Sequence, residues 1–410
     1  MIYYGRVLTT RREYFALAGS VALASKLHAL PERERRIAEI IRTYEEQGVH
    51  RTGTEVDRLS GDWLMAQVRG SGLEPEREMF SLSRIDPIAA SVTIGDRKAQ
   101  GLPLFDGGFT SGDGVRGRLG LLGSDAEIGL TEAAPNTSSA GALGDVRRQN
   151  RHRAIVLVTR GGRPGLCPNN AESFLHPFGP PVVQLSSEEK PWLDECVKSH
   201  SEALVIAQAG RKSVEAFNVT AVIEGSNKVL APLVIMTPRS GWWTCASERG
   251  GGIACWLESM RALVPSKPVR PVLFVASSGH ELGQLGIEIF AERRPKLIKE
   301  AHAWIHLGAN IGAAQEPGNM IQASDDEMEN LLANAMAGSG IRIDRRVPRG
   351  TVPGGEAGVV HRGGGRYMSL IGRSALFHNP ADRGPDSVDV AAIARFAAVF
   401  TAIAKGLASA

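Results

Sequence analysis

The side chains in this chain that could carry acid–base chemistry stand just after apolar runs. His280 and Glu281 follow "RPVLFVASS" (270–278), and Glu248 lies in "MTPRSGWWTCASERGGGIACWLE" (236–258) behind the run "APLVIMT". His378 lies in "LFHNPADRGPDSVD" (376–389). A histidine titrates near neutrality, so His280 or His378 is suited to take a proton from water, with Glu281 or Glu248 to orient it. The same groups fit a nucleophile–base–acid arrangement in which Ser240, Cys245 or Ser247 attacks and Gly250, Gly251 and Gly252 offer backbone donors to an oxyanion. "HELGQ" is not an HExxH zinc helix, because Gln284 stands four residues after His280.

Around these groups, Arg239, Trp242, Trp243 and Arg249 have the residue types that dominate compact recognition sites, and an arginine holds a carboxylate by two parallel bonds. His361, in the glycine-rich "VVHRGGGR", could close over such a cleft, though the run lacks the GxxxxGK[ST] phosphate pattern. His306, after "AWI", reads as a core or strand-end histidine, and Glu356, in "PGGEAG", as a solvated loop residue.

The elements that must position these residues alternate. Apolar spacing of three and four predicts helices between 31 and 70. Residues 75–215 break into short apolar runs separated by Gly, Pro, Ser and Asn, which predicts a β-rich stretch. From 217 onward, "NVTAVIEG", "APLVIMT", "RPVLFVASS" and "AHAWIHLG" are continuous apolar runs of the kind found in strands buried on both faces, with helical patterns between them. The fold class is α/β: a mixed, mainly parallel sheet flanked by helices, with sites expected at the carboxyl ends of the strands.

This order of pieces resembles the zinc exopeptidase fold of bacterial leucyl aminopeptidases, glutamate carboxypeptidase II and glutaminyl cyclase. The resemblance rests on "FVASSGHELGQLGIEIFAERRP" (274–295), like that family's strand, Gly-Glu-Glu turn and helix, and on the His-x-x-x-Asp of 378–382. It implies an exopeptidase-like domain of 30–80 and 216–410, with 81–215 as an inserted protease-associated domain. It also implies a two-zinc site, and most of that site is missing. Pro238 and Ser240 stand where His-x-Asp is expected, Ser247 or Glu248 where the bridging aspartate is, His280 where the general-base glutamate is, and Gly308 where a further aspartate is. Glu281 and His378 match. A catalytic zinc takes three protein ligands, so the cofactor expectation is none, or one zinc held by Glu281, His378 and Glu248. The readings that follow are a divergent amide hydrolase acting on a small carboxylate-bearing substrate, or an inactive homologue that binds a small ligand or a protein.

Lys and Arg number 47 against 44 Asp and Glu, and no basic stripe with interleaved aromatics occurs, so nucleic acid is not an expected partner. A homo-oligomer is compatible with the chain. Residues 1–29 include "TTRREYFALAGSVALAS" (9–25), which resembles a twin-arginine export signal and predicts a periplasmic protein; the alternative is the buried first helix of a cytoplasmic one. No later apolar stretch of about 20 residues is expected to span a membrane. The four cysteines include no CxxC pair, and Cys167 with Cys196 is one bridge the sequence permits.

Overall fold

The computed structural model describes residues 31–410, so the export-signal segment lies outside the described residues. The chain opens with helices α1 (Glu32–Glu46) and α2 (Glu55–Gly70). Strands β1 (Pro75–Ile94), β2 (Arg97–Gln100), β3 (Leu102–Pro103), β4 (Val115–Leu121) and β5 (Ile128–Ala133) follow, then helix α3 (Gly141–Arg148). Next come β6 (Ala154–Thr159), β7 (Val182–Leu185), α4 (Lys190–Lys198), β8 (Glu202–Ile223), β9 (Leu233–Pro238) and α5 (Gly250–Leu263). The remainder is β10 (Val272–Ser277), α6 (Leu285–Glu292), α7 (Leu297–Glu300), β11 (Ala303–Leu307), β12 (Gly318–Ala323), α8 (Asp326–Gly338), β13 (Arg345–Arg346), α9 (Ala357–Arg362), β14 (Tyr367–Arg373) and α10 (Val390–Ser409).

The strands form one mixed sheet in the order β13-β12-β14-β11-β9-β10-β8-β4-β5-β6-β7-β3, with β1 paired to β8. β14, β11, β9 and β10 run parallel, which aims their carboxyl ends at one edge. The continuous apolar runs are explained by burial on both faces. Leu233 and Ile235 of β9, Phe274 of β10 and Ile305 of β11 point into a core with α1, α2, α5, α8 and α10. Their neighbours Val234, Met236, Val275 and Trp304 point the other way, into a core with α6 and α9. Alternation along a strand thus divides one apolar run between two cores.

Two features bear on the expectations. The boundaries set at 80/81 and 215/216 fall inside β1 and β8, an antiparallel pair that runs from Pro75↔Ala221 to Thr93↔Leu204 with a register shift between Pro87 and Ala89, so β8, which also pairs with β10, links the parallel strands to the β-rich stretch. Pattern reading places only the end of β8, at "NVTAVIEG", and not the length of these two strands, because Pro87 and the polar run after Gly210 interrupt their apolar periodicity. The second is α10, a helix of 20 residues that is long and apolar enough to cross a membrane by length and composition. Ile393, Phe396, Phe400, Ile403 and Leu407 on it belong to the main core, so burial accounts for its apolar character. All four cysteines are free and buried: Cys196, on α4, faces the core of the β-rich stretch, whereas Cys167 contacts Asn379, so the permitted bridge is not formed.

His50 ties the α1–α2 connection to the site loops. Its ring stacks on Tyr44 with centroids 3.8 Å apart, its Nε2 bonds the Tyr44 carbonyl at 2.9 Å, and its backbone meets Trp243 and Gly241. Burial lowers this imidazole to about 3, against the pull of the Tyr44 carbonyl. The unfolded chain therefore binds a proton below about pH 6.5 that the folded chain refuses, and stability falls as pH drops through that value. Between pH 7 and pH 5 this group should remove about 2 kcal/mol. Urea titrations of wild type and His50→Phe at both pH values check this; parallel pH dependences in the two proteins would rule it out.

Candidate functional site

The loop from β10 into α6 is built to hold one histidine at the strand edge. Gly279, Gly283 and Gln284 have φ values of 93°, 70° and 58°, which fold the chain into a tight 3-10 turn over His280–Leu282. Asn218 pins both ends, its Oδ1 accepting the Ser278 N–H at 3.1 Å and its Nδ2 donating to the Gly286 carbonyl at 2.9 Å. Beneath the loop, Ser240 Oγ accepts the Gly279 and His280 N–H groups and donates to Glu281 Oε2 at 2.8 Å.

His280 enters a cavity of about 560 Å³ at the carboxyl edge of the parallel strands, lined also by Asn136, His306, Asn310, Glu356, Arg373 and Phe377. Its Nδ1 lies 2.9 Å from Glu356 Oε1, and His306 Nε2 lies 3.2 Å from Glu356 Oε2. A carboxylate accepts only, so both nitrogens carry hydrogens. His306 Nδ1 then accepts from Ser369 Oγ at 2.8 Å, which fixes that ring, while the neutral form of His280, its Nδ1 hydrogen given to Glu356, keeps a lone pair on Nε2 in a side chain that lines the cavity. Burial works to raise the Glu356 carboxyl, but the positive charge that His280 carries once protonated, with the hydrogen bonds from His280 and His306, outweighs it and holds Glu356 well below the ordinary carboxylate range. Gly355 makes the approach feasible. A Cβ there would sit 3.1 Å from His306 Cε1 and 3.7 Å from His280 Cε1, at a φ of +64° that favours glycine. Glu356 is therefore a fully buried partner of two histidines and not a solvated loop residue, and His306 takes part in the site instead of merely filling the core.

A second cluster lies at the start of α5. Asp382 accepts the backbone N–H groups of Ser247 and Glu248, each at 2.9 Å, and fixes the turn. Glu248 Oε1 is 2.6 Å from Arg249 Nη2, an ion pair too poorly aligned to count as a hydrogen bond, and 3.5 Å from His378 Nε2. Arg249 Nε donates to the Ser240 carbonyl at 2.7 Å, and His378 Nδ1 donates to the Pro168 carbonyl at 2.6 Å. His378 is lowered to about 4 by burial, against the pull of Glu248, so it is neutral at physiological pH.

Several expected roles are corrected by this geometry. Glu281 does not orient His280 and does not offer a free carboxylate: its oxygens take the Thr52 N–H at 2.7 Å and the Ser240 hydroxyl. Ser240 is thereby engaged on both sides, and Cys245, buried with its thiol pushed well up by burial, is no thiolate. Ser247 is fully buried, and Gly251 serves close packing, since a Cβ there would lie 1.9 Å from the Ile311 carbonyl oxygen. Arg239 is buried against Asp57 Oδ1 at 2.8 Å and the Phe217 carbonyl at 2.6 Å, which leaves it no fork for a ligand. Trp242 packs edge-on against Phe105 and donates to Asn170 Oδ1, while Trp243 donates to the His378 carbonyl. Neither tryptophan lines the cavity, and His361 faces Tyr367 Oη from the far end of α9.

The zinc expectation can be tested against these donors. Of Glu281, His378 and Glu248, the first has both oxygens engaged by Thr52 and Ser240, and the third already faces a guanidinium. Among the described residues no group of three or more His, Cys, Asp or Glu side chains is arranged to hold a metal ion. The residues present do not fit a resident zinc with three protein ligands.

No established family profile matches the chain. No curated protein matches it in sequence. Solved structures do match it over nearly its whole length. An aminopeptidase from Aneurinibacillus sp. strain AM-1 superposes with a TM-score of 0.70 at 16% identity, covering 92% of this chain and 94% of that one. The zinc aminopeptidase BSAP from Bacillus subtilis gives 0.71 at 16% identity, covering 91% and 95%. A peptidase M28 precursor from Shewanella amazonensis gives 0.73 at 16% identity, covering 97% of both chains. At that identity the likeness is one of fold: the chain has the zinc exopeptidase fold, as "FVASSGHELGQLGIEIFAERRP" and the His-x-x-x-Asp segment implied.

Proposed function

We propose that this protein is a peptidase-like hydrolase that cleaves an amide-like bond in a small, carboxylate-bearing molecule, using His280 and not a pair of zinc ions to activate water. The observation that carries this reading is the His280–Glu356–His306 arrangement at the floor of the cavity. In it, His280 Nε2 takes a proton from a water in the cavity, and the anionic Glu356 stabilises the imidazolium that forms. His306 holds the second oxygen of Glu356, so the carboxylate cannot swing away. When the amine leaves, the proton on His280 is available to it. Asn136, reaching into the cavity from the loop after β5, is suited to donate to the carbonyl oxygen.

The carboxylate preference rests on residues other than the arginines singled out in the sequence. Arg345 and Arg373 line the outer cavity and, among the described residues, neither forms an ion pair with an acidic side chain. Arg373 Nε donates to the Glu316 carbonyl at 3.2 Å, which leaves the guanidinium without a carboxylate, and two arginines lacking a counter-charge at a concave surface favour an anion. Arg373→Ala should raise KM about tenfold for an N-succinyl anilide and leave an N-acetyl anilide within about twofold, because a charge-assisted bond contributes about 1.5–3 kcal/mol. Equal effects on both compounds would remove the preference from Arg373.

The competing reading, a binding module without turnover, needs Trp242, Trp243, Arg239 and Arg249 to meet a ligand, and no observation favours it while those side chains are engaged elsewhere. The deciding experiment is a panel of N-acyl amides followed by mass spectrometry. Cleavage that scales with protein supports the hydrolase, and tight binding with no product from any member supports the module.

A further inference from the structure

We propose that the Arg249 guanidinium is the resident cation of the second cluster, a covalent replacement for a metal ion at the carboxyl edge of the sheet. The mismatch between donors and zinc described above has a specific form. His378 Nδ1 is committed to the Pro168 carbonyl, so its Nε2 is a lone pair, and it points at Glu248 Oε1, another acceptor, 3.5 Å away. Both atoms are buried and neither has a hydrogen-bond partner. Two acceptors turned towards each other in a dry interior are the pattern that surrounds a cation. Here a cation is present: Arg249 Nη2 sits 2.6 Å from the same Glu248 oxygen, is itself without an aligned hydrogen bond, and is held by the Nε bond to Ser240. Cys245 Sγ completes the surroundings at 3.6 Å from Glu248 Oε2.

Arg249, Glu248 and His378 are each at most 1% exposed, so the charge of Glu248 has no solvent to screen it. A buried carboxylate deprived of its counter-charge is strongly destabilising, whereas removal of both charges is not. The guanidinium therefore provides the charge balance that a bound metal would otherwise provide, and it cannot be chelated away. This holds whether or not the neighbouring cavity hydrolyses amides.

The test uses full-length wild type, Arg249→Ala and the double variant Arg249→Met/Glu248→Gln, each melted with and without zinc and titrated with zinc against a chromophoric chelator. Wild type should take up no stoichiometric zinc, and its Tm should not move. Arg249→Ala should melt lower and regain part of the loss with about one equivalent of zinc, since Glu248, His378 and Cys245 then face an empty position. The double variant should recover most of the lost Tm and ignore zinc. Because methionine also refills the volume that alanine removes, the recovery is scored against Arg249→Met alone, which keeps the volume and leaves Glu248 uncompensated. Stoichiometric zinc in wild type, an Arg249→Ala protein that zinc does not raise, or a double variant no more stable than the single one would each overturn the proposal. Should Arg249→Ala not fold, the double variant decides: folded and indifferent to zinc supports it, unfolded overturns it.

Discussion

Replacing His280 with asparagine is expected to lower kcat by about 10²- to 10⁴-fold, the range attributed to a positioned general base. Asparagine carries its amide nitrogen where the ring carries Nδ1, so it can still donate to Glu356 Oε1 and the buried carboxylate keeps a partner, but no basic lone pair remains at the position of Nε2. The loss should therefore fall on kcat and leave KM and Tm near their wild-type values. A variant that keeps wild-type kcat would mean that another group deprotonates the water; one that loses kcat together with its Tm would mean that His280 is a support.

The largest effect on stability should come from Arg239→Met. This arginine donates to the Asp57 carboxylate and carbonyl and to the Phe217 carbonyl, and its guanidinium lies 4.9 Å over the Phe217 ring. Asp57 in turn accepts from the Gly53 N–H and the Ser278 hydroxyl, in the loop that carries His280. Removing one member of a buried ion pair leaves the other uncompensated, a cost of about 3–5 kcal/mol. Chemical denaturation should show that loss for Arg239→Met and a smaller one for Arg239→Met/Asp57→Asn. If Arg239→Met loses less than about 1 kcal/mol, the pair is not the brace described here.

The contrast between His280 and Glu356 explains what the sequence could reveal. His280 follows a continuous apolar run and precedes a helical pattern, so its place at a strand edge is local information. Its partner is 76 residues away, in a glycine-rich stretch that looks solvated until β11, β14 and α9 close around it. Gly355 was the available signal, since it lets the backbone approach two imidazole rings, but a glycine in such a run marks a loop as readily. Arg239, Trp242 and Arg249 have the residue types of a recognition site, yet residue type does not say which way a side chain faces. Their partners, Asp57, Asn170 and Glu248, lie on three different segments, and only Glu248 is adjacent in sequence. The fold was more legible because burial on two faces leaves continuous apolar runs at β9, β10 and β11.

The central claim is that His280, and no bound metal, activates the water. It is tested most directly by the hydrolysis rate of one N-acyl amide substrate after exhaustive dipicolinate treatment and desalting, with untreated protein and His280→Asn measured in parallel. The account predicts an unchanged rate in the treated protein and a loss of about 10²-fold or more in the variant. A treated protein that loses its activity and regains it with zinc would contradict the account.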